Sequence, residues 1–280
     1  MQINVEKAIK ELVTKGIKLP PQPKVLVQLQ KKLASDKYSM DDLTRIISQD
    51  PGITAMLFKA VRSPVFGCNK KLNSLDQVLM VIGVRQVCNL VQAIALSGSL
   101  SSAKRKSFEI FWTRSQEVAQ LAALIAADRV SVCNIFPDQA YMAGIFHECG
   151  VPVLMQRFPD YCAKLHLDNT CCWPKLADED ALFKVDHCSV GYLVAHHWKL
   201  PDFICQAILY HHEMPHEELG AVRTLVSILQ LAIHFYHRVT RTDHQFWWKI
   251  REEALAELGI PLEGEQAYYE DISEQFLAGQ

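Results

Sequence analysis

Apolar residues recur at i, i+3 and i+4 along nearly the whole chain, and alternating runs are few. On a helix of 3.6 residues per turn, this spacing gathers the apolar side chains into one buried stripe. The pattern therefore predicts an all-helical protein. The predicted helices span, by residue number, 5–15, 24–34, 40–48, 51–61, 75–82, 84–96, 108–129, 138–147, 178–185, 187–198, 202–211, 219–239, 245–258 and 265–277.

Residues that favour helix ends set several of these boundaries. Ser39 precedes a first turn that contains acids, which is typical of a helix N-cap. Ser74 and Gln77 have the spacing of a capping box, and Gly83 indicates the end of that helix. The stretch 97–104 is mostly small and polar, and it predicts the boundary between two lobes.

Composition and charge restrict the class of protein. The chain has 280 residues, 49% hydrophobic and 21% charged, with a formal charge of -2. These values are typical of a globular protein and give no electrostatic reason to expect nucleic acid or a membrane as partner. The first 15 residues are charged throughout, and no apolar run reaches the ~20 residues of a membrane span. Nine cysteines without a C-x-x-C pair favour a reduced, cytoplasmic protein.

Pairs of histidine and acidic residues are the candidate functional residues. They are His147-Glu148, Asp186-His187 and His211-His212-Glu213, and nine of the eleven histidines fall between 187 and 244. Imidazole and carboxylate groups are ligands for divalent transition metals. The set is typical of a metal-centred hydrolytic site or of a remnant of one. Two simpler interpretations stay open: Asp186 can cap the helix that follows it, and His211-His212 can be a solvated helix end.

These residues resemble a known family. The segment Gly144 to Gly150, read Gly-Ile-Phe-His-Glu-Cys-Gly, is similar to the helix end that contains the His-Asp pair of HD phosphohydrolases. The remaining motifs resemble the HDOD branch, the HD-related output domains, from about Leu19 to Glu213. These motifs are Leu19-Pro20 with Pro23, Asp50-Pro51, Ser63 with Phe66-Gly67, Ser74 with Ile82-Gly83, Asp186-His187 with Gly191, Trp198 with Leu200-Pro201, and His211-His212.

The resemblance implies an all-α, two-lobed HDOD fold whose C-terminal lobe is built like an HD hydrolase. We expect an N-terminal helix at 1–18, an HDOD domain at 19–215 and C-terminal helices at 216–280 that pack on the HD-like lobe. Within the domain, the N-terminal lobe runs to about 103 and the HD-like lobe begins at about 107.

Active HD enzymes hold a divalent metal with a histidine, the His-Asp pair and a distant aspartate. In this chain the first position is occupied by Arg114, whose guanidinium has no lone pair to offer, and the last by Ile233. The Asp of the pair is replaced by Glu148. We therefore expect no metal and no catalytic residue. Because Arg114 shares a helix face with Phe111 and Val118, we predict that it points inward and forms a bidentate pair with Glu148 or Asp186. The alternative is that its side chain lies along the helix face and reaches water.

The predicted function is that of a bacterial signal-transduction protein without catalytic activity, acting with a signalling partner or a small ligand. The cavity remnant would consist of Arg114, His147, Glu148, Asp186, His187, His211 and His212. The alternative is a metal-dependent phosphohydrolase or phosphodiesterase acting on a nucleotide. Its metal, Mn, Fe, Ni or Zn, would be held by His147, Glu148, His187 and His211 or His212.

Overall fold

The computed structural model describes residues 11–278 except 13, 15, 36, 62–71, 100–104, 168, 170 and 171. Every regular element among these residues is a helix, as the periodicity predicts. Most of the predicted helix at 5–15 lies outside the described residues, as do Ser63 and Phe66-Gly67.

Five helices form the N-terminal lobe. They are α1 (Lys24–Leu33), α2 (Met40–Ile47), α3 (Pro51–Val61), α4 (Leu75–Ile82) and α5 (Val84–Ser99). Helix α5 packs against α1, α3 and α4, and α2 contacts α1 and α4. Ser39 and Asp42 form a capping box at α2. Ser74 accepts a hydrogen bond from the Gln77 amide, but the Gln77 side chain accepts from Asn73, so the predicted box at α4 is only half formed.

The predicted lobe boundary is partly helical. Helix α5 continues to Ser99, although the stretch beginning at residue 97 was expected to be a linker. An interior glycine disfavours a helix by about 1 kcal/mol and a serine by less, which is too little to require a helix end at residue 97.

The second lobe contains the remaining helices. They are α6 (Arg105–Cys133), α7 (Pro137–Phe146), α8 (Gly150–Arg157), α9 (Tyr161–Lys164), α10 (Leu176–Phe183), α11 (His187–His197), α12 (Asp202–Tyr210), α13 (Ala221–Val239), α14 (Trp247–Glu257) and α15 (Glu265–Ala278). Helix α6 packs against α7 and α13, and α11 packs against α8 and α12. Helix α14 lies on α13, and α15 lies on α6, so the C-terminal helices contact the HD-like lobe.

A buried tryptophan joins the two lobes. The Trp198 side chain is fully buried, and its Nε1 donates a hydrogen bond of 3.0 Å to the carbonyl oxygen of Pro20. Gln30 of α1 donates from its side chain to the Trp198 carbonyl at 3.1 Å. Together with the packing of α5 on α7, these bonds attach the extended entry segment and the first helix to the HD-like lobe.

Two glycines allow the helices around the histidines to approach closely. A Cβ atom at Gly144 in α7 would overlap the backbone of Ala119 in α6. A Cβ atom at Gly150, the first residue of α8, would overlap the carbonyl oxygen of His187. The His147-Glu148 turn therefore lies directly against the start of α11, because glycine stands on either side of it.

Within the described residues, no single helix is both long enough and apolar enough to cross a membrane. The pair formed by α4 and α5 up to Ala95 meets the criteria of length and composition together, but it is bent by 117°.

We predict that Gly150→Ala lowers the free energy of unfolding by about 1–3 kcal/mol, because the methyl group would force α8 away from the His187 carbonyl. Denaturant titration followed by circular dichroism measures the change. Gly264→Ala is the matched control, since the nearest atom to its Cβ is 3.6 Å away. Equal stability losses in the two variants would contradict the packing argument.

Candidate functional site

Arg114 and Glu148 form a buried ion pair. Arg114 on α6 is 3% exposed, and Glu148, in the turn after α7, is fully buried. The distance from Nη2 of Arg114 to Oε2 of Glu148 is 3.5 Å. Within the described part of the chain, neither carboxylate oxygen of Glu148 has a hydrogen-bond partner. The predicted inward orientation and the pairing with Glu148 are therefore present, but through one close contact, without a bidentate hydrogen bond.

A short loop covers the guanidinium group. Nη1 of Arg114 donates a hydrogen bond of 3.0 Å to the carbonyl oxygen of Cys172. Its Cζ atom lies 4.0 Å from the centroid of the Trp173 ring, within range of a cation–π interaction. The positive charge is thus compensated by a carboxylate, a carbonyl and an aromatic face.

Asp186 does not contribute to the cavity, contrary to the expectation that grouped it with Arg114. Its Oδ1 accepts from the Ser189 amide at 2.7 Å, and its Oδ2 accepts from the Ser189 hydroxyl at 2.8 Å. Both oxygens are used to cap the N-terminus of α11. The local capping geometry explains this position, because the first amides of a helix have no partners within the helix.

Glu179 orients His187. Both side chains are fully buried, and Nδ1 of His187 lies 2.6 Å from Oε2 of Glu179. The same oxygen accepts a 3.2 Å hydrogen bond from the His187 amide, and the other accepts from the Tyr161 hydroxyl. A carboxylate at Nδ1 holds a proton on that nitrogen and orients Nε2 of His187 away from Glu179.

Three imidazoles meet at Nε2 of His187. The distance from that atom to Nε2 of His211 is 3.3 Å, and to Nε2 of His212 it is 3.1 Å. The thiol of Cys188 is 3.6 Å from the same atom. His211 is 1% exposed, so the interpretation of His211-His212 as a solvated helix end is wrong for His211. Two imidazole nitrogens and one sulfur thus lie within 3.6 Å of Nε2 of His187.

His147 lies beside this cluster. Its Nδ1 donates a 2.7 Å hydrogen bond to the Gly144 carbonyl, and among the described residues its Nε2 has no partner. Its ring centroid is 5.2 Å from that of His211. Arg114, His147, Glu148, His187, His211 and His212 therefore lie around one largely buried region.

Burial determines the protonation of most of these histidines. It lowers the pKa of His147, and it lowers the pKa values of His211 and His212 well below the usual range, with neighbouring imidazoles acting in the same direction. Burial also lowers the pKa of His187, but Cys188 and Glu179 overcome this effect and raise it well above its usual value. Burial raises the pKa of the Cys188 thiol.

The His/Cys cluster can bind a metal, but the HD position does not fit one. The ligand atoms of His187, Cys188, His211 and His212 lie within 4.8 Å of one another, the one such group found among the described residues. His147 and Glu148 are not members of it. At the HD position, the Arg114 guanidinium faces the Glu148 carboxylate, and a buried cation opposes a second cation there.

The family model of the HDOD domain matches residues 19–214. The chain belongs to the HDOD domain family. A crystal structure of an HDOD domain protein of unknown function from Geobacter sulfurreducens is 23% identical, with a TM-score of 0.66, and the match covers 97% of this chain and 96% of that one. A candidate phosphohydrolase from Shewanella amazonensis is 19% identical with a TM-score of 0.68, covering 96% and 95% of the two chains.

Two further relatives are longer than this HDOD protein. A candidate signal transduction protein from Marinobacter aquaeolei is 19% identical with a TM-score of 0.69, and the match covers 99% of this chain and 65% of that one. An uncharacterized protein from Treponema pallidum is 23% identical over 249 residues, 85% of this chain and 47% of that protein. The chain thus spans about half the length of this curated relative. At these identities the solved structures show the fold alone.

Sequence reasoning missed Glu179 and Cys188. Glu179 occupies a position on the apolar stripe of α10, three residues after Leu176 and four before Phe183, and such a buried acid was a usable signal. Cys188 gave no such signal. Consecutive helix residues face different directions, so a cysteine next to His187 was not expected to share its cavity.

A second histidine cluster lies outside the matched HDOD region. His234 and His237 of α13 and His244 line a cavity of about 460 Å³ together with Trp248 and Arg251. The rings of His237 and His244 are stacked with centroids 5.0 Å apart. Trp173 connects this cluster to the HDOD pocket, since its ring lies 4.9 Å from that of His237 and 4.0 Å from the Arg114 guanidinium.

This second cluster predicts a loss of stability in acid. Burial lowers the pKa of His234 and His237 to about 3 and that of His244 to about 4, from 6.5. The native state keeps these rings neutral while the unfolded chain takes up protons below 6.5. Their contribution to stability is therefore complete above 6.5 and is lost as the pH falls toward about 4.

We expect the urea midpoint to fall between about pH 7.5 and about pH 5. The lowered pKa values of His147, His211 and His212 also reduce stability in acid, whereas the raised pKa of His187 has the opposite effect. A variant is therefore needed to assign the change to the second cluster. His244→Gln should reduce the protons taken up on unfolding at about pH 5 by at most about one. An unchanged pH dependence in this variant would contradict the assignment.

Proposed function

We propose that this HDOD protein is a regulatory module of bacterial signal transduction that does not hydrolyse phosphate esters. The observation that supports this proposal is the buried pair between Arg114 and Glu148, with Nη2 and Oε2 separated by 3.5 Å. In an HD hydrolase the corresponding cavity holds a divalent ion that lowers the pKa of bound water. Here the positive group beside the carboxylate is covalently part of the chain.

A guanidinium cannot perform the chemistry of that ion. It remains protonated, has no lone pair for a ligand bond and offers no coordination position to a water molecule. It also repels a divalent ion from the neighbouring carboxylate, and burial strengthens that repulsion. The pocket therefore keeps the charge balance of an HD site without a source of hydroxide.

The names of the similar proteins include both a signalling function and a hydrolytic one. The Marinobacter relative is described as a candidate signal transduction protein and the Shewanella relative as a candidate phosphohydrolase. Because both are 19% identical to this chain, they support the proposal only through the shared fold. The site residues of this chain favour the regulatory branch.

A groove between the lobes is where we place the input signal. It has a volume of about 650 Å³, within the usual range of about 300–1,000 Å³ for small-molecule sites. Its apolar floor comes mainly from α1 and α5, and its polar groups are Gln30, Arg85, Asn89, Gln92 and Lys199. A small polar ligand that contacts both Arg85 of the first lobe and Lys199 of the second would change how the lobes are held together.

The second candidate function is a metal-dependent phosphohydrolase. One observation favours it: the His187, Cys188, His211 and His212 group next to the HD position can bind a metal. Hydrolysis there would require a coordination position left open for water.

Hydrolysis assays distinguish the two functions. The full chain, supplied with Mn²⁺, Fe²⁺, Ni²⁺ or Zn²⁺, should release no product above the blank from phosphomonoesters, phosphodiesters or cyclic dinucleotides. Turnover that depends on metal and is lost in His212→Ala would overturn the regulatory proposal. The variant is needed because a contaminating phosphatase would be unaffected by it.

Stability measurements test the role of the ion pair. Arg114→Met should lower the free energy of unfolding by about 3–5 kcal/mol, because it leaves Glu148 buried without a counter-charge. The double variant with Glu148→Gln should regain much of that loss, since the uncompensated charge is removed as well. Arg45→Met is the control: its partner Asp41 is 75% exposed, and surface pairs contribute about 0–1 kcal/mol. Additive losses in the double variant would contradict the pairing.

A further inference from the structure

Three separations within the His/Cys cluster match those between ligands of one tetrahedral ion, and all four ligand atoms lie within 4.8 Å of one another. With zinc–nitrogen bonds of about 2.0–2.1 Å and a zinc–sulfur bond of about 2.3 Å, tetrahedral angles separate two nitrogens by about 3.3 Å and nitrogen from sulfur by about 3.6 Å. The observed separations from Nε2 of His187 are 3.3 Å to His211, 3.1 Å to His212 and 3.6 Å to the Cys188 sulfur. All of them agree with those values.

Hydrogen bonds on the outer side of the rings orient their Nε2 atoms toward the common point. Nδ1 of His187 faces the Glu179 carboxylate at 2.6 Å. Nδ1 of His211 lies 2.7 Å from the Ile208 carbonyl, which can only accept, so that nitrogen donates. The Nε2 atoms of the two rings therefore face each other across 3.3 Å, where both can bind one ion.

The partners of the ligands are those of a built metal site. Metal-binding histidines usually donate their second nitrogen to a carboxylate or a backbone carbonyl, which fixes the orientation of the ring. Glu179 does this for His187 and is itself bonded by the Tyr161 hydroxyl. The Ile208 carbonyl does it for His211. All of these groups are buried, each at most 1% exposed.

We propose that His187, Cys188, His211 and His212 bind one zinc ion in a closed site, with the Cys188 thiolate as the fourth ligand. The thiol gives its proton to solvent when the ion binds. This inference deepens the proposed function and rests on it in one respect: four protein ligands leave no position for a reactive water molecule. The ion then joins the start of α11 to the end of α12 and has a structural or metal-sensing role.

Metal analysis and cobalt spectroscopy of the full chain test the proposal. Protein produced with zinc and purified without chelator should contain about one zinc per chain. After exchange with Co²⁺, the visible bands of tetrahedral cobalt should appear, together with the near-ultraviolet charge-transfer band of a cobalt–thiolate bond. Cys188→Ser should lose the thiolate band. Cys205→Ser is the matched control, because Cys205 is also buried and lies 3.6 Å from the Leu200 carbonyl, outside the ligand group.

A second variant measures the contribution of the outer partners. Glu179→Gln should weaken zinc binding about 10–100-fold in competition with a chromophoric chelator. A chain without metal would overturn the proposal and indicate that a proton shared among the imidazoles replaces the ion. Zinc bound without a thiolate band in the wild-type cobalt protein would also overturn it, since the site would then have three ligands and an open position.

If Cys188→Ser fails to fold, the thiolate band of the wild-type cobalt protein still tests the zinc site.

The zinc site and the proposed function can also fail independently of each other. Metal-dependent turnover together with a thiolate band would overturn the non-hydrolytic function and leave the four ligands intact. Absence of both metal and turnover would overturn the zinc site and leave the regulatory function.

Discussion

The compensation of buried charge is the constraint on which this structure depends. The Arg114 guanidinium and the Glu148 carboxylate are both removed from water, which costs several kcal/mol for each ion. Their mutual attraction, the Cys172 carbonyl and the Trp173 ring offset that cost. A pair of this kind adds little net stability, but neither member can change alone. The positions of α6, the turn after α7 and the loop at Cys172 are therefore tied to one another.

The neighbouring imidazole cluster avoids most uncompensated charge because two of its histidines stay neutral. His187 and His211 are buried and His212 is partly buried. Burial keeps His211 and His212 neutral, so they supply lone pairs. A negative charge is present at Glu179, on the far side of His187. The pocket thus contains an arginine–carboxylate half and a histidine–thiol half, separated by His147. The HD-like fold retains the general position of a metal site, whereas the atoms suited to a metal lie in the second half.

The sequence predicted an all-helical fold and most of its helices, although not α8 or α9, and it failed where contacts cross between helices. The inward direction of Arg114 followed from the stripe it shares with Phe111 and Val118, because a helix repeats every 3.6 residues. Asp186 was ambiguous between cap and cavity, and the capping of local amides decided it. Glu179 lies between two exposed acids, Asp178 and Asp180, and its position on the apolar stripe was the sequence signal that distinguishes it from them.

The sequence gives no indication that Cys188 and His187 share a cavity, and the reason is physical. Successive helix residues diverge by about 100°, and the two side chains share a cavity only because the end of α12 reaches the first turn of α11. The absence of a Cβ atom at Gly150 permits the approach of α8 to that same turn. Such an arrangement is a property of the assembled lobe, so reasoning from one helix at a time does not find it.

The pocket also extends beyond the residues that define the family. Gln230 of α13 donates a hydrogen bond to the His211 carbonyl, and Ile233, which stands near the expected final metal ligand, is 4% exposed in the core. Trp173 lies between Arg114 and His237, so α13 forms one wall of the charged site. Glu265 of α15 accepts hydrogen bonds from Trp247 and Arg251 of α14, and these bonds hold the C-terminal helices to one another. Because α13 contacts both the histidine cluster and α14, the C-terminal helices support the pocket structurally, although the family match ends before them.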